Sequence, residues 1–435
     1  MPDQGRRQFV KYATAAIATA QFPILGANDR INIGIAGLGG RGRDHMNYYA
    51  SLSSDCRIAA VCDVNQTARE RAVAQVHKLT GYDPKEYTDM RAMFDSKEVD
   101  AVSLPLPNHW HALATIWACE AGKDIYVEKP ASHNIFEAQQ MIKAARKYNR
   151  MVQVGSQSRS ITHKMHAVQL LRDGAIGQIY HARGLCFRRR FSIGHTPDTA
   201  VPAGLDWDRF LGPAQWKAYS RNKFAYNWHW FWDTGNGDIG NQGIHEMDIA
   251  RWGLNRTVPK GVVSTGGKYA YDDDQETPNT QIASFDYGDA ELVFEVRGLP
   301  TGTEGNIQMG GTNSVGNTFF GDKGYLSLDH KGYQSFLGDK HTPGPSGQAE
   351  MGDTGPHMQN FLEAVKSRRI EDLNGDVAKG ATSVNLVHMA NISYRLGRKL
   401  EIEDPVALTF KNDAQANAMK TRPEYRKPYV VPTIG

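Results

Sequence analysis

The chain has 435 residues, of which 40% are hydrophobic and 22% are charged, and its formal net charge is +3. This length is sufficient for two domains with separate cores, and the near balance of charges gives no indication of a nucleic-acid partner. Beyond the N-terminus, no segment reaches the roughly 18 consecutive apolar residues that a membrane span needs. Composition therefore predicts a globular protein whose mature chain does not cross a membrane.

The first 27 residues resemble an export signal. Gly5-Arg6-Arg7-Gln8-Phe9-Val10-Lys11 matches the twin-arginine pattern, and a small, apolar segment follows from Tyr12 to Leu25. The alternative is a short N-terminal helix with two chance arginines. Removing residues 1–27 takes away three cations and one carboxylate, which leaves a net charge of +1. We expect a periplasmic or otherwise exported protein, with the signal either cleaved near Ala27 or kept as an anchor.

Residues 31–154 alternate between strand and helix patterns, which predicts an α/β fold with a doubly wound parallel sheet, the Rossmann arrangement. The capping box Asn134-Ile-Phe-Glu137 opens one of the helices. Apolar runs predict five strands, at Ile31–Ala36, Arg57–Cys62, Val99–Leu104, Ile125–Val127 and Met151–Val154.

From residue 155 to 435 the pattern changes to that of an α+β domain with an open, mostly antiparallel sheet. Gly288-Asp289 marks a hairpin turn, and residues 298–317 and 338–356 are predicted to be long surface loops. The four cysteines lack metal-ligand spacing, so buried free thiols and no metal site are expected. Strands are predicted at Ile179–Phe187, Gly261–Thr265, Thr280–Tyr287 and Ala290–Arg297, and helices at 161–172, 244–253, 357–367 and 376–396.

A glycine-rich turn after the first strand is typical of dinucleotide sites. Gly37 permits the tight turn, Gly39 lets the backbone approach a pyrophosphate, and Gly42 allows close packing of the helix. Asp63 ends the next strand, where a carboxylate accepts hydrogen bonds from a ribose and disfavours a 2′-phosphate. NAD is therefore favoured over NADP, although Arg41 softens this preference; the alternative is a glycine-rich turn that binds no nucleotide.

Polar residues follow two later strands, at the sheet edge where such folds bind ligands. Asn108 and His111 come after the third strand and are candidates for contact with the nicotinamide half of a dinucleotide; the alternative is a helix cap with ordinary surface histidines. Glu128-Lys129-Pro130 closes the fourth strand. Lysine can transfer protons there, because its pKa moves readily when it is desolvated or placed near another cation.

A third polar group lies at the start of the helix predicted over 244–253. Asn241 and His245 are four residues apart and can share one helical face. His245 is a candidate for a hydrogen bond to a substrate hydroxyl. Asp248 either fixes the tautomer of that histidine or pairs with Arg251.

The segment Tyr226–Asp233 is unusually aromatic. Trp230 and its neighbours are candidates for a carbohydrate platform, since sugar rings pack their C–H faces on aromatic side chains. Core or interface packing is the alternative. Arg188-Arg189-Arg190 offers charge for an anionic sugar, against the alternative of a solvated or subunit-interface cluster.

Taken in order, the glycine turn, the Pro-x-x-x-His segment, Glu-Lys-Pro and the Gly-x-His-x-x-Asp helix resemble the glucose-fructose oxidoreductase/inositol dehydrogenase/MocA family. The resemblance extends over nearly all of the mature chain. It implies a nucleotide domain, an open-faced sheet that builds dimers or tetramers, and hydride transfer at a sugar or polyol carbon. By the same resemblance Lys129 is the catalytic lysine and His245 its partner. The positions expected along the cofactor are Asn108, His111, Glu128 and Gln157.

One position departs from the family pattern. Many members have aspartate four residues before the histidine, where this chain has Asn241. An amide cannot share a proton as a carboxylate can, so acid–base work would rest on Lys129 and His245, with Asn241, Asp248 and Trp230 as candidate substrate contacts.

The resulting hypothesis is an NAD-dependent oxidoreductase acting on a sugar, glycoside or polyol, expected to form homo-oligomers. The first alternative is an NAD-dependent glycoside hydrolase that works by transient sugar oxidation and elimination. The second, from another class, is a non-catalytic sugar-binding protein.

Overall fold

A computed structural model describes residues 30–301, 314–349 and 354–435. The twin-arginine motif and the segment after it lie outside the described residues, so export stays a prediction. No helix in the described ranges is long and apolar enough to span a bilayer.

The first half of the fold is a six-stranded, all-parallel sheet with the strand order 3-2-1-4-5-6. This order confirms the predicted doubly wound Rossmann sheet. The strands are β1 (Ile31–Ala36), β2 (Cys56–Cys62), β3 (Lys85–Tyr87), β4 (Ala101–Leu104), β5 (Asp124–Val127) and β6 (Val152–Val154). The helices are α1 (Gly40–Ser51), α2 (Gln66–Thr80), α3 (Met90–Phe94), α4 (Asn108–Glu120) and α5 (Ile135–Lys147).

Local chemistry explains which of these elements the sequence reveals. The five predicted strands are buried apolar runs, whereas β3 has no apolar run because its three residues lie at the exposed sheet edge. The capping box is confirmed at the start of α5, where the Asn134 side chain accepts a hydrogen bond from the Glu137 backbone N at 2.9 Å. The Glu137 carboxylate in turn accepts from the backbone N of His133 at 3.0 Å.

The second half contains a ten-stranded sheet in the order 14-13-12-11-7-10-9-8-15-16, antiparallel except for the parallel pair β7 and β10. Its strands are β7 (Ile179–Phe187), β8 (Gly261–Gly267), β9 (Thr280–Asp286), β10 (Glu291–Arg297), β11 (Ser314–Gly321), β12 (Gly324–Leu328), β13 (Gly332–Leu337), β14 (Thr342–Gln348), β15 (Leu400–Asp404) and β16 (Thr409–Phe410). The helices are α6 (Thr162–Arg172), α7 (Trp207–Leu211), α8 (Gly237–Asn241), α9 (Gly243–Leu254), α10 (Gly355–Ser367), α11 (Val377–Leu396) and α12 (Ala414–Ala418).

Two predictions for this half are tested directly. The hairpin is confirmed, because β9 and β10 pair antiparallel around Gly288, whose φ of 89° favours glycine. The long loop predicted over 338–356 is wrong in part, because Thr342–Gln348 forms the edge strand β14. Its prolines are tolerated there because β14 pairs only with β13, so the missing N–H groups need not serve a second neighbour. The four cysteines are free and buried, as expected.

Helix α9 lies close against the second sheet because small residues stand near both of its ends. A Cβ atom at Gly243 would come within 2.5 Å of the Phe294 ring, and one at Gly253 within 2.4 Å of the Phe319 ring. Helix α10 packs on the first sheet instead, with Phe361 in the same apolar cluster as Ile33. Packing therefore crosses the predicted domain boundary at residue 154.

Candidate active site

The glycine turn lies where the strand order reverses, between β1 and β4. A Cβ atom at Gly37 would stand 2.6 Å from the carbonyl oxygen of Pro105, and one at Gly42 would stand 2.0 Å from that of Gly37. By contrast, a Cβ atom at Gly39 would meet nothing within 4 Å. Gly39 also precedes the first turn of α1, which contains no acidic residue. The turn thus leaves open the backbone at Gly39, where a pyrophosphate can approach a helix N-terminus.

Asp63 lies beside this turn, at the end of β2. Its carboxylate accepts hydrogen bonds from the backbone N of Leu38 at 2.7 Å and of Asn65 at 2.8 Å. Burial raises the pKa of Asp63, and the two backbone N–H groups oppose that shift. These bonds hold the carboxylate at the predicted ribose position, with lone pairs left for hydroxyl donors.

Glu128 is the centre of a buried cluster. Its carboxylate accepts from Arg41 Nε at 2.8 Å and from Gln157 Nε2 at 3.0 Å, and it lies 3.1 Å from His45 Nε2. Burial by itself raises the pKa of Glu128, but the charge of Arg41 and the contact with His45 hold it well below the ordinary value. Arg41 was predicted to face the cofactor; it pairs with Glu128 because a buried carboxylate needs a counter-charge. His45 was not predicted.

Asn108 is 1% exposed and is the first residue of α4. Its Nδ2 donates to Asn236 Oδ1 at 3.0 Å, while its Oδ1 has no hydrogen-bond partner within the described residues. This unsatisfied oxygen fits a group that brings an amide donor, as nicotinamide does. The N-cap residue of α4 is Pro107, so the alternative that Asn108 caps this helix is wrong.

His111 occupies a different role from the one expected. Its Nδ1 lies 2.6 Å from the carbonyl oxygen of Pro130, and its Nε2 lies 2.8 Å from that of Leu106. Burial lowers the pKa of His111, and a neutral imidazole carries one N–H, so the fully buried ring donates to one of these two oxygens. The contact expected with the cofactor is corrected: His111 positions the segments that follow β4 and β5.

Lys129 follows β5, as predicted, and its side chain reaches across to the second half of the fold. Its Nζ donates to the backbone oxygen of Asn241 at 2.8 Å. Burial lowers the pKa of Lys129, and although Glu128 opposes this shift, the cations Arg41 and Arg190 add to it. A lysine with a lowered pKa loses its proton more readily, as a general base must.

His245 lies in the first turn of α9. Burial, and then the charge of Lys129, lower the pKa of His245 to about 3, so its imidazole is neutral at physiological pH. No described residue forms a hydrogen bond with that ring. The imidazole is therefore free to donate to or accept from a bound substrate.

Asn241 stands where many family members have aspartate, and two residues that the sequence analysis did not single out in this role, Asp238 and Arg190, lie close to it. Asn241 Nδ2 donates to the Tyr226 hydroxyl at 2.9 Å and to Asp238 Oδ1 at 3.2 Å. Asp238 thus brings a carboxylate to this region from one helical turn earlier. Arg190 pairs with it through two hydrogen bonds of 2.8 and 3.0 Å, which balances its charge. The three-residue spacing from Asn241 to Asp238 was the available signal.

A pocket of about 490 Å³ opens beside these groups. Trp230 is among its lining residues but is only 4% exposed, so most of its ring is packed within the protein and the carbohydrate platform stays a prediction. The Arg190 guanidinium lies 5.7 Å from the Trp230 ring centroid. The arginine run is not a solvated cluster, because Arg188 donates to Gln242 and Arg189 to Gly298. The remaining lining includes Arg189, Phe191, Arg221, Asn222 and Tyr226.

Asp248 lies away from this pocket, and its predicted substrate contact is corrected. It is 2% exposed and accepts from Arg159 Nε and Nη2, both at 2.8 Å. Ser383 Oγ donates to it at 2.5 Å, and the predicted partner Arg251 is more distant, at 3.8 Å. Asp248 joins α9 to the segment after β6, because a buried carboxylate requires a close counter-charge.

Comparison with protein families matches both halves of the chain. The model for an oxidoreductase family with an NAD-binding Rossmann fold, Gfo/Idh/MocA, matches residues 31–156. The model for the C-terminal alpha/beta domain of the same family matches residues 178–280 and 319–431.

Relatives of assigned activity match over part of the chain. An inositol 2-dehydrogenase of Salmonella typhimurium is 28% identical over 176 residues, covering 40% of this chain and 50% of its own length. A glycosyl hydrolase family 109 protein of Shewanella putrefaciens is 27% identical over 157 residues, covering 35% and 34%. The chain thus spans between a third and a half of the length of these relatives.

Solved structures share the fold over most of the chain. The WlbA dehydrogenase of Bordetella pertussis, in complex with NADH and UDP-GlcNAcA, is 19% identical with a TM-score of 0.65, covering 86% of this chain and 100% of that one. A levoglucosan dehydrogenase in complex with NADH and levoglucosan is 17% identical with the same TM-score and coverage. With both domain models matched, the chain belongs to the Gfo/Idh/MocA family of oxidoreductases with an NAD-binding Rossmann fold.

Proposed function

We propose that this protein transfers hydride between NAD and a carbon of a sugar, glycoside or polyol. The observation that carries the proposal is the contact between Lys129 Nζ and the backbone oxygen of Asn241. It joins the ligand-binding edge of the Rossmann sheet to the helices that lead to His245. Asn241 also contacts Tyr226, which lines the 490 Å³ pocket, so Lys129 is linked through Asn241 to the wall of a space of ligand size.

The residues that would hold the cofactor have either open space beside their backbone or oxygen lone pairs that remain available for a donor on the cofactor. The backbone at Gly39 suits a pyrophosphate, Asp63 a ribose, and Asn108 a carboxamide. When bound, nicotinamide supplies the hydride acceptor.

Lys129 takes the proton of the hydroxyl that is oxidised, and the neutral His245 forms a hydrogen bond to the same oxygen or an adjacent one. An unpaired carboxylate next to Lys129 would hold it in the protonated form. Arg190 prevents this by pairing with Asp238.

The sugar class is supported by the pocket and by the relatives. Tyr226, which is 51% exposed, presents aromatic surface together with a hydroxyl, which suits a ring that is apolar on one face and polar at its rim. An inositol 2-dehydrogenase and a structure with bound levoglucosan are among the proteins this chain resembles.

A second candidate function is glycoside cleavage assisted by transient oxidation. A relative named as a glycosyl hydrolase favours it, and so does the predicted export, since a self-restoring cycle needs no external supply of NAD. A sugar C–H gives up hydride and its hydroxyl becomes a ketone. The adjacent, now acidic C–H loses its proton to a base, and the aglycone leaves with the bonding electrons. Water adds to the resulting double bond, and the hydride returns to the ketone carbon.

Both functions are tested by one experiment on the purified full chain with NAD. Polyols, free sugars and nitrophenyl glycosides are offered separately, and NADH absorbance and nitrophenol release are recorded together. Net NADH supports dehydrogenation, whereas nitrophenol without net NADH supports cleavage. Lys129→Ala is the control and should abolish either signal while retaining NAD binding. Unchanged turnover in that variant would contradict the assignment of Lys129. Tight sugar binding with no deuterium exchange at any sugar carbon would instead identify a non-catalytic binding protein.

Export and assembly are further parts of the proposal. The twin-arginine pattern supports export, which is checked by changing Arg6 and Arg7 to lysine and locating the protein in fractionated cells. A homo-oligomer is supported by exposed apolar side chains on adjacent strands of the second sheet, Val263 and Ile282. Light scattering after size-exclusion chromatography measures its mass, and a monomeric mass would contradict it.

A further inference from the structure

A second pocket, of about 320 Å³, lies at the C-terminal end of α9 and next to the N-terminus of α11. Its polar and apolar lining comes from Met165, Trp252, Asn255, Thr257 and Asn374. No carboxylate is among the described residues that line it. Five cationic side chains do: Arg159, Arg172, Arg251, Arg256 and Lys379.

Two carboxylates compensate part of this charge. Asp248 is buried beneath the pocket and serves both Arg159, at 2.8 Å, and Arg251, at 3.8 Å. Asp289 pairs with Arg256 at 2.5 Å. Five cations against two carboxylates leave the cluster with a surplus of three positive charges.

The remaining cations have no ion pair in the described part of the chain. Lys379 Nζ donates only to backbone oxygens, those of Leu373 at 2.8 Å and Asn374 at 3.4 Å. The nearby Asp376 pairs with Arg146 at 2.6 Å and caps the first turn of α11, both through Oδ1, and its Oδ2 has no hydrogen-bond partner among the described residues. Arg172 is exposed at the rim of the pocket.

Burying positive charge without a matching carboxylate costs free energy. Arg159 is 6% exposed and Arg251 is 8% exposed, and burial lowers the pKa of Arg251 to about 10 even with Asp248 nearby. Lys379 stands in the first turn of α11, where the helix dipole disfavours a cation and favours an anion. An anion placed between these groups would relieve both effects.

We propose that this pocket binds an oxyanion of the phosphate or sulfate type, either free or carried as an ester on a small molecule. Arginine forks match the oxygens of such a group, and Asn255, Thr257 and Asn374 add neutral hydrogen-bonding groups. The volume exceeds that of a single tetrahedral anion and leaves space for an organic substituent against Trp252, whose ring already lies under the Arg159 guanidinium at 5.0 Å. The proposal is independent of the proposed redox function.

Titration calorimetry on the full chain tests it, with inorganic phosphate and with sulfate as probes and with ionic strength held constant by chloride. We expect saturable binding of one anion per chain. The variant Arg172→Gln/Lys379→Gln should weaken that binding at least tenfold, because it removes two uncompensated charges. The matched control Lys97→Gln/Lys340→Gln removes two exposed charges elsewhere and should bind as the wild type does.

Thermal unfolding of each variant without anion shows whether it is folded, and the single variant Arg172→Gln provides a milder second test. A sugar phosphate and a nucleoside monophosphate distinguish the source of the anion. Tighter binding of either ester than of phosphate identifies a carried group, and equal binding identifies the free anion. No saturable binding of any probe, or equal binding by the double variant and the wild type, would overturn the proposal.

Discussion

Replacing Asp248 by asparagine tests the correction that this residue holds the fold and does not bind substrate. The change keeps the shape of the side chain and removes its charge. Asp248 is 2% exposed and accepts two hydrogen bonds from Arg159 and one from Ser383. Removing one partner of a buried ion pair leaves the other charge uncompensated and costs about 3–5 kcal/mol. Because Arg251 also loses its nearest carboxylate, we expect a fall in the free energy of unfolding within that range.

Urea unfolding at neutral pH, followed by tryptophan fluorescence and circular dichroism, measures the loss. The matched control is Asp289→Asn, which removes the same charge from the pair with Arg256, whose side chains are 54% and 35% exposed. Exposed ion pairs contribute about 0–1 kcal/mol to stability, so the free energy of unfolding of this control variant should differ little from that of the wild type. Adding Arg159→Met to Asp248→Asn should recover part of the loss, since the uncompensated cation is then absent.

A loss for Asp248→Asn no larger than that of the control would refute this reasoning. A stable variant with a selectively raised KM would instead restore Asp248 to the substrate-binding role first predicted for it.

Three further outcomes follow from the site. The kcat/KM should rise with pH and level off below pH 10.5, because burial lowers the pKa of Lys129; a rate that still increases at pH 10.5 would contradict this. Gly42→Ala should destabilise the fold, since its Cβ would stand 2.0 Å from the Gly37 oxygen. Gly39→Ala should fold normally, because its Cβ would meet nothing within 4 Å, but titration calorimetry should show an NAD affinity at least tenfold weaker. Burial raises the pKa of Glu246 from 4.5 to about 8, so between these pH values the folded state holds a proton that the unfolded state releases. The stability of the wild type relative to Glu246→Gln should therefore fall as the pH rises from 4.5 to 8, as urea midpoints of both proteins can measure, and an unchanged difference across that range would refute it.

Local patterns predicted the elements of the site well because they depend on short-range chemistry. A glycine-rich turn after a buried strand and an Asn–Glu capping box act over a few residues, and the structure has them where the sequence indicated. Strands β3 and β11–β16 were not predicted. For β3 and β14 the reason is that a strand at a sheet edge needs no apolar run and tolerates proline.

Partners distant in sequence were not predictable from one chain. Arg41 and Glu128 are 87 residues apart, and Arg190 and Asp238 are 48 apart. Which cation neutralises which buried carboxylate depends on how the helices pack. The surroundings of His111 could not be predicted for the same reason, because the two backbone oxygens beside its ring belong to different segments of the chain.

The sequence by itself determined the fold class, the family resemblance and the glycine-rich turn, because each rests on patterns among neighbouring residues, and it offered Lys129 and His245 as candidates for proton transfer. The tertiary structure decided the charge state of the site. It brought the Asp238 carboxylate into contact with the Asn241 amide and paired it with Arg190, and it paired Asp248 with Arg159, away from the 490 Å³ pocket. Burial and long-range charges set these pKa values, and both exist only once the two sheets and their helices have packed together.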